Sequence, residues 1–108
     1  MNKMAVIGDS ETVLPYKAFG FMTFSTTSAE CDGIIRKLMS DEEYRIIFIM
    51  EEYAEALRDV LKELRASERT FPIVIEVPGI RGSKGNGQEK IKKIVERAVG
   101  MDIFSKED

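Results

Sequence analysis

The run Arg45-Ile46-Ile47-Phe48-Ile49-Met50 constrains the fold more than any other stretch of the chain. It is apolar without alternation and rich in β-formers, the pattern of a parallel strand covered on both faces, so it predicts a central strand with helix above and below. The neighbouring segments supply the cover. Glu51 to Ala66 carries Tyr53, Leu57, Val60, Leu61 and Leu64 on one helical face, and sets Glu55 three before Arg58 and Asp59 three before Lys62 on the other. Cys31, Ile34, Ile35 and Leu38 form a second stripe at i, i+3, i+4 and i+7, with Arg36 and Lys37 outward. Cys31 therefore reads as a small core residue rather than a reactive thiol. Thr27-Ser-Ala-Glu30 has the spacing of a capping box and predicts that this helix starts there, and Ser40-Asp-Glu-Glu43 repeats the pattern over one turn.

Upstream, Lys3-Met-Ala-Val-Ile-Gly8 is a short strand stopped by Gly8-Asp9-Ser10, where Asp9 or Ser10 can cap a first helix. Pro15 predicts that the regular part of that helix begins near it and ends at Gly20. Phe21-Met-Thr-Phe24 makes a short strand, and Phe71-Pro-Ile-Val-Ile-Glu-Val77 a last one, with Pro72 tolerated at its start and Pro78-Gly79 ending it. Strand and helix alternate, and right-handed helical crossovers between parallel strands are the economical solution. The predicted fold is α/β: a small doubly wound four-stranded parallel sheet of Rossmann-like or receiver-like topology, with a C-terminal helix after a Gly-rich linker.

Residues 1–77 are thus the α/β core, 78–88 a flexible linker with Gly79, Gly82, Gly85 and Gly87 as hinge positions, and 89–108 an amphipathic helix and tail. In the last segment Ile91, Ile94, Val95, Ala98 and Val99 form a stripe, with Gly100 as a natural C-cap. Two placements are open to this helix: folded back on the sheet, or docked on a partner.

Composition removes several function classes. The 108 residues hold 16 Lys+Arg against 19 Asp+Glu, a net charge of -3 and a poor footprint for binding a nucleic acid. Histidine is absent, which removes the usual general base near neutral pH, the commonest zinc ligand and the histidine-assisted nucleophiles. One cysteine allows no intramolecular disulfide and suits a reducing compartment. No stretch approaches the roughly 20 apolar residues of a spanning helix, and no signal peptide is evident. A chain this short builds one modest core, which makes an assembly plausible.

Three kinds of site fail on their residues. Gly79-Ile-Arg-Gly82-Ser-Lys-Gly85-Asn-Gly87 resembles a phosphate loop, but Lys84 is followed by Gly85 instead of Ser or Thr, and Gly8 lacks the companion glycines of a dinucleotide fingerprint. A phosphoacceptor receiver needs an acceptor aspartate after its third strand and a lysine ending a later one, and here stand Met50-Glu51-Glu52 and Glu76-Val77-Pro78. Asp9 and Glu51 are better explained as carboxylates at helix N-termini. Glu51 and Glu52, adjacent on a helix, point about 100° apart and do not converge as a hydrolytic pair. No catalytic, cofactor or metal site is expected.

The segments Met4-Ala-Val-Ile-Gly-Asp9, Val13-Leu-Pro-Tyr-Lys-Ala-Phe-Gly-Phe21, Ile46-Ile-Phe-Ile-Met-Glu-Glu-Tyr-Ala54, Phe71-Pro-Ile-Val-Ile-Glu-Val-Pro-Gly79 and Ile94-Val-Glu-Arg-Ala-Val-Gly100, in this order and spacing, resemble the F-subunit family of V-type (A-type) ATP synthases. The resemblance covers nearly the whole chain. It implies a non-catalytic central-stalk component of a rotary motor, binding the D-subunit coiled coil in a hetero-oligomer and helping couple ATP synthesis or hydrolysis to proton or sodium ion transport. It implies a cytoplasmic location, peripheral to the membrane through the complex, and a C-terminal helix that can lie along the body or reach toward the catalytic head. One departure is that Arg81, Gly82, Ser83 and Lys84 stand where family linkers often carry a proline-rich turn. On this reading Ile91, Ile94, Val95, Val99, Ile103 and Phe104 contact the sheet or the stalk, and Lys90, Lys92, Lys93 and Arg97 meet acidic partner surfaces. The alternative of another class is a receiver-like, phosphorylation-dependent regulatory domain.

Overall fold

The computed structural model describes residues 3–79 and 92–100. Strand β1 (Lys3–Gly8) leads into helix α1 (Ser10–Val13), a 3-10 helix (Leu14–Phe19) and strand β2 (Met22–Ser25). Helix α2 (Cys31–Met39), strand β3 (Tyr44–Met50), a 3-10 turn (Glu51–Tyr53), helix α3 (Arg58–Ala66) and strand β4 (Ile73–Val77) follow. A last helix, α4, spans 92–100. All strands are parallel, in the order β2-β1-β3-β4, so β1 and β3 are central. This is the four-stranded parallel α/β fold, with a C-terminal helix, that the sequence predicts.

Alternation along the central strands sends Ala5, Ile7, Ile47 and Ile49 to one face, where Cys31, Ile35 and Leu38 of α2 and Leu57, Val60 and Leu61 of α3 cover them. Val6, Ile46, Phe48 and Val77 go to the other face, under Val13 and Tyr16 and under Val95 and Ala98 of α4. Tyr16, Phe21 and Phe48 pack there with ring centroids 5.4, 5.6 and 4.8 Å apart, in edge-on or tilted geometry. Such contacts are worth roughly 0.5–1.5 kcal/mol each beyond the area they bury.

The element boundaries differ from expectation where side chains redirect the backbone. Helix α1 begins at Ser10, ahead of Pro15, because the Asp9 carboxylate accepts the Thr12 N–H at 2.7 Å. From Leu14 the chain tightens into a 3-10 helix around Pro15, and it ends at Gly20 as predicted, with φ of 85° in the left-handed region. Strand β2 starts one residue later than expected, at Met22.

The side-chain capping box at Thr27 to Glu30 does not form. These residues make a turn closed by the Cys31 N–H donating to the Thr27 carbonyl (2.9 Å), and Glu30 provides no side-chain cap. Ser40 to Glu43 is not a helical turn either: Asp41 accepts the Glu43 N–H through its side chain (3.0 Å) and the Tyr44 N–H through its carbonyl (3.1 Å). Regular helix α3 begins at Arg58 instead of Glu51. Before it, the Leu57 N–H is shared between the Tyr53 and Ala54 carbonyls (3.1 and 3.2 Å), a bifurcated arrangement that keeps this stretch tightly wound. Strand β4 starts at Ile73, since Pro72 has no N–H for the ladder. The predicted Glu55–Arg58 pair forms at 3.0 Å, and Arg36 links Asp32 (3.0 Å) to Glu63 of α3 (3.1 Å), joining the two helices of the first face.

Replacing Ile47, fully buried between the sheet and helices α2 and α3, by Ala is expected to lower stability by about 2–5 kcal/mol in urea unfolding. Asp9→Ala removes the cap on the Thr12 N–H and is expected to cost at least about 1 kcal/mol. Equal small losses at the two positions would contradict the layered core described here.

Candidate partner-binding surface

In a doubly wound sheet the ligand crevice lies beyond the carboxyl ends of the strands where their order reverses, here between β1 and β3. A side chain reaches across this end of the sheet. Tyr53, in the turn after β3, donates its hydroxyl to the Thr26 carbonyl after β2 at 2.6 Å, while the Thr26 N–H donates to the Gly8 carbonyl at the end of β1 (2.9 Å). The Tyr53 phenol is pushed above its ordinary pKa, by burial first and then by electrostatic interaction with Asp9, Cys31 and Glu52. A Cβ on Gly8 would lie 3.3 Å from that of Met50, so the strand ends themselves pack closely. The Asp9 carboxylate caps α1, and Glu51 and Glu52 are exposed. Among the described residues no cluster of three or more His, Cys, Asp or Glu side chains could hold a metal ion.

Cys31 lies in the core, its thiol 3.4 Å from the Ser28 carbonyl, and burial raises its pKa. The neutral thiol is favoured there, which agrees with a packing role.

The surface features of greatest interest lie on α4. Val95 and Ala98 are buried against the second face of the sheet, with Ile94 and Val99 half-buried beside them. Ala98, fully covered, lets the helix approach closely. Lys92, Lys93 and Arg97 are exposed, with Glu96 the acidic residue among them, so α4 turns a basic side outward on an acidic chain. The predicted partner-binding residues thus divide: Ile94, Val95 and Val99 face the sheet, and Lys92, Lys93 and Arg97 face solvent. Lys90, Ile91, Ile103 and Phe104 lie outside the described residues, as do Gly82, Gly85 and Gly87. Gly79 is buried where the chain leaves β4, and a Cβ there would meet the Glu52 carboxylate at 2.5 Å.

Sequence reasoning missed two ties, Tyr53 to Thr26 and Arg36 to Glu63. The first had a signal, since Tyr53 is the one residue of its apolar stripe with a hydroxyl, and a buried tyrosine hydroxyl needs a partner. The second joins residues 27 positions apart and left no local trace.

Tyr16 lies in the same cluster as Val95 and Ala98, and burial pushes its pKa from 10.0 up to about 12. Below pH 10 the phenol is neutral in both the folded and unfolded chain. Above it the unfolded chain ionises first, so Tyr16 costs stability progressively between about pH 10 and about pH 12. Urea unfolding at rising pH is expected to show this loss, and Tyr16→Phe to reduce it. An unchanged slope in that variant would contradict the assignment.

Comparison with known proteins adds what the geometry does not. A family model described as ATP synthase (F/14-kDa) subunit matches residues 4–95, from β1 into α4. The chain is 36% identical over 104 residues to the F subunit of the V-type ATP synthase of Fusobacterium nucleatum, covering 96% of this chain and 97% of the relative. It is 33% identical over 107 residues to the F subunit of the A-type ATP synthase of Thermococcus onnurineus (94% and 97% covered). Identity to the V-type F subunit of Clostridium botulinum is 30% over 104 residues (95% and 98% covered).

Proposed function

The chain belongs to the ATP synthase (F/14-kDa) subunit family, and from that premise we propose that it is a non-catalytic central-stalk component of a V-type or A-type ATP synthase. A member of this family works within a hetero-oligomeric complex. In the proposed role the α/β body binds the D-subunit coiled coil and turns with the rotor, on the cytoplasmic side and peripheral to the membrane. The observation that carries this reading is the match along nearly the full length of both chains, which takes in the body and part of α4 together. Among the described residues no helix is long and apolar enough to cross a membrane, which fits attachment through partners.

The physical parts suit the role. A rotor accessory needs a stiff body, and the central strands with covered faces supply one. It also needs a surface that another protein of the complex can hold. We assign that function to α4 and its approach: Lys92, Lys93 and Arg97 meet acidic partner surfaces, and the 78–88 segment acts as the hinge through which the helix leaves the sheet. One valine and one alanine are buried on α4, and a valine-sized side chain contributes about 1.5–3 kcal/mol on burial. Val95 and Ala98, with Ile94 and Val99 half-buried beside them, form the contact that an acidic partner competing for the helix has to displace.

Titrating the purified chain with the D subunit is the direct test, with a one-to-one complex at micromolar concentration expected. A chain that stays monomeric beside that partner refutes the stalk assignment. Val95→Asp is expected to raise amide hydrogen exchange in α4 by about tenfold or more, with β1 and β3 still protected, since it places a charge against the sheet. Unchanged exchange in α4 would show that the helix is not held by this contact.

A further inference from the structure

The first face of the sheet carries two helices above four strands, and the lane over edge strand β4 is left with a groove. Val74 and Glu76 lie along its floor, Leu61, Leu64 and Arg65 of α3 make its wall, and Arg69 stands at the end where β4 begins. The groove has a volume of about 320 Å³. Arg69 also borders a neighbouring cavity that contains Arg45 and Phe71.

Arg69 and the neighbouring Arg45 are held in place. The Arg69 guanidinium donates to the Met39 carbonyl at 3.0 Å, and the Arg45 guanidinium stacks 3.4 Å from the centre of the Phe71 ring. Arg65 and Arg69 form no ion pair among the described residues. Their planar forks suit carboxylates, and that of Arg69, already oriented by the Met39 carbonyl, loses less entropy on binding one. Among the described residues β4 pairs only with β3, which leaves its outer row of N–H and C=O groups as a template for another strand.

We propose that this edge groove receives an extended acidic segment of another protein, added to β4 as a fifth strand. Side chains on an extended segment alternate between faces, so every second one falls on the side of Arg65 and Arg69 and the rest beside Ile73 and Ile75, which are half-buried on the other face. The matching sequence alternates acidic with apolar residues. Glu76 at the far end of the floor sets the polarity, placing the acids at the Arg65 and Arg69 end. A groove bearing two arginines and one glutamate, on a chain of net charge -3, is locally opposite in sign to the molecule around it. The surface lies across the sheet from α4 and does not depend on the stalk assignment.

The test is nuclear magnetic resonance of the isotopically labelled full chain, titrated with a synthetic hexapeptide of alternating aspartate and valine. Saturable shifts confined to β4, α3 and the Arg69 turn are expected, weakened at least about fivefold by Arg65→Ala or Arg69→Ala and strengthened by Glu76→Gln. Arg65 is exposed, so its variant serves if Arg69→Ala disturbs the fold. The charge-reversed pair Arg65→Glu with Arg69→Glu is expected to prefer the corresponding lysine and valine peptide. Absence of saturable shifts at millimolar peptide, equal shifts from the lysine peptide on the unaltered chain, or shifts confined to α4 would each overturn the proposal.

Discussion

Two-sided burial of β3 is the constraint on which the rest of the structure depends. Ile46, Ile47, Phe48 and Ile49 are all buried, and because consecutive side chains point to opposite faces, neither face of the sheet can be left to water. A single covering layer would expose either Ile47 and Ile49 or Ile46 and Phe48. The chain meets this with α2 and α3 on one face and with α1, its 3-10 extension and α4 on the other. The two covers are unequal. The first is built from two amphipathic helices joined by the Arg36 link, and the second depends on Tyr16, Phe21 and a helix that follows β4 in the chain.

That inequality connects architecture to the proposed role. Helix α4 completes the core of the second face and also exposes Lys92, Lys93 and Arg97, so in the proposed role one element both packs the core and meets the partner. The reverse applies on the first face, where the lane over β4 keeps a groove bordered by Arg65 and Arg69. A body of this kind offers partners contacts on opposite sides. At the end of the sheet where many doubly wound folds bind ligands, Tyr53 donates its hydroxyl to the Thr26 carbonyl.

Much of the architecture was legible in the sequence. The stripe of Cys31, Ile35 and Leu38, the run at Ile46 to Ile49 and the face carrying Leu57, Val60 and Leu61 all lie in the core, because the periodicity of apolar residues reports which side of an element is buried. The errors have a common cause. Thr27 and Glu30 have the spacing of a capping box, and Glu51 to Leu57 the periodicity of a helix, but spacing does not say which hydrogen bond a donor will choose when a turn or a distant carbonyl competes. Of the proposed partner-binding residues, the sequence marked Ile94, Val95 and Val99 as apolar and Lys92, Lys93 and Arg97 as charged. It could not say what the apolar ones would meet.

The sequence by itself determined the order of strands and helices, the apolar side of each, and membership of a family through segments dispersed along the chain. These are local properties, fixed by residue type and by spacings of two or about 3.6 residues. Tertiary structure alone decided that α4 lies on the second face, that the Tyr53 hydroxyl reaches the Thr26 carbonyl, and that Arg65 and Arg69 border one groove beside β4. Each of these brings together residues far apart in sequence. Such contacts are settled by how all the apolar faces share a limited sheet surface, and no single stretch of the chain carries that information.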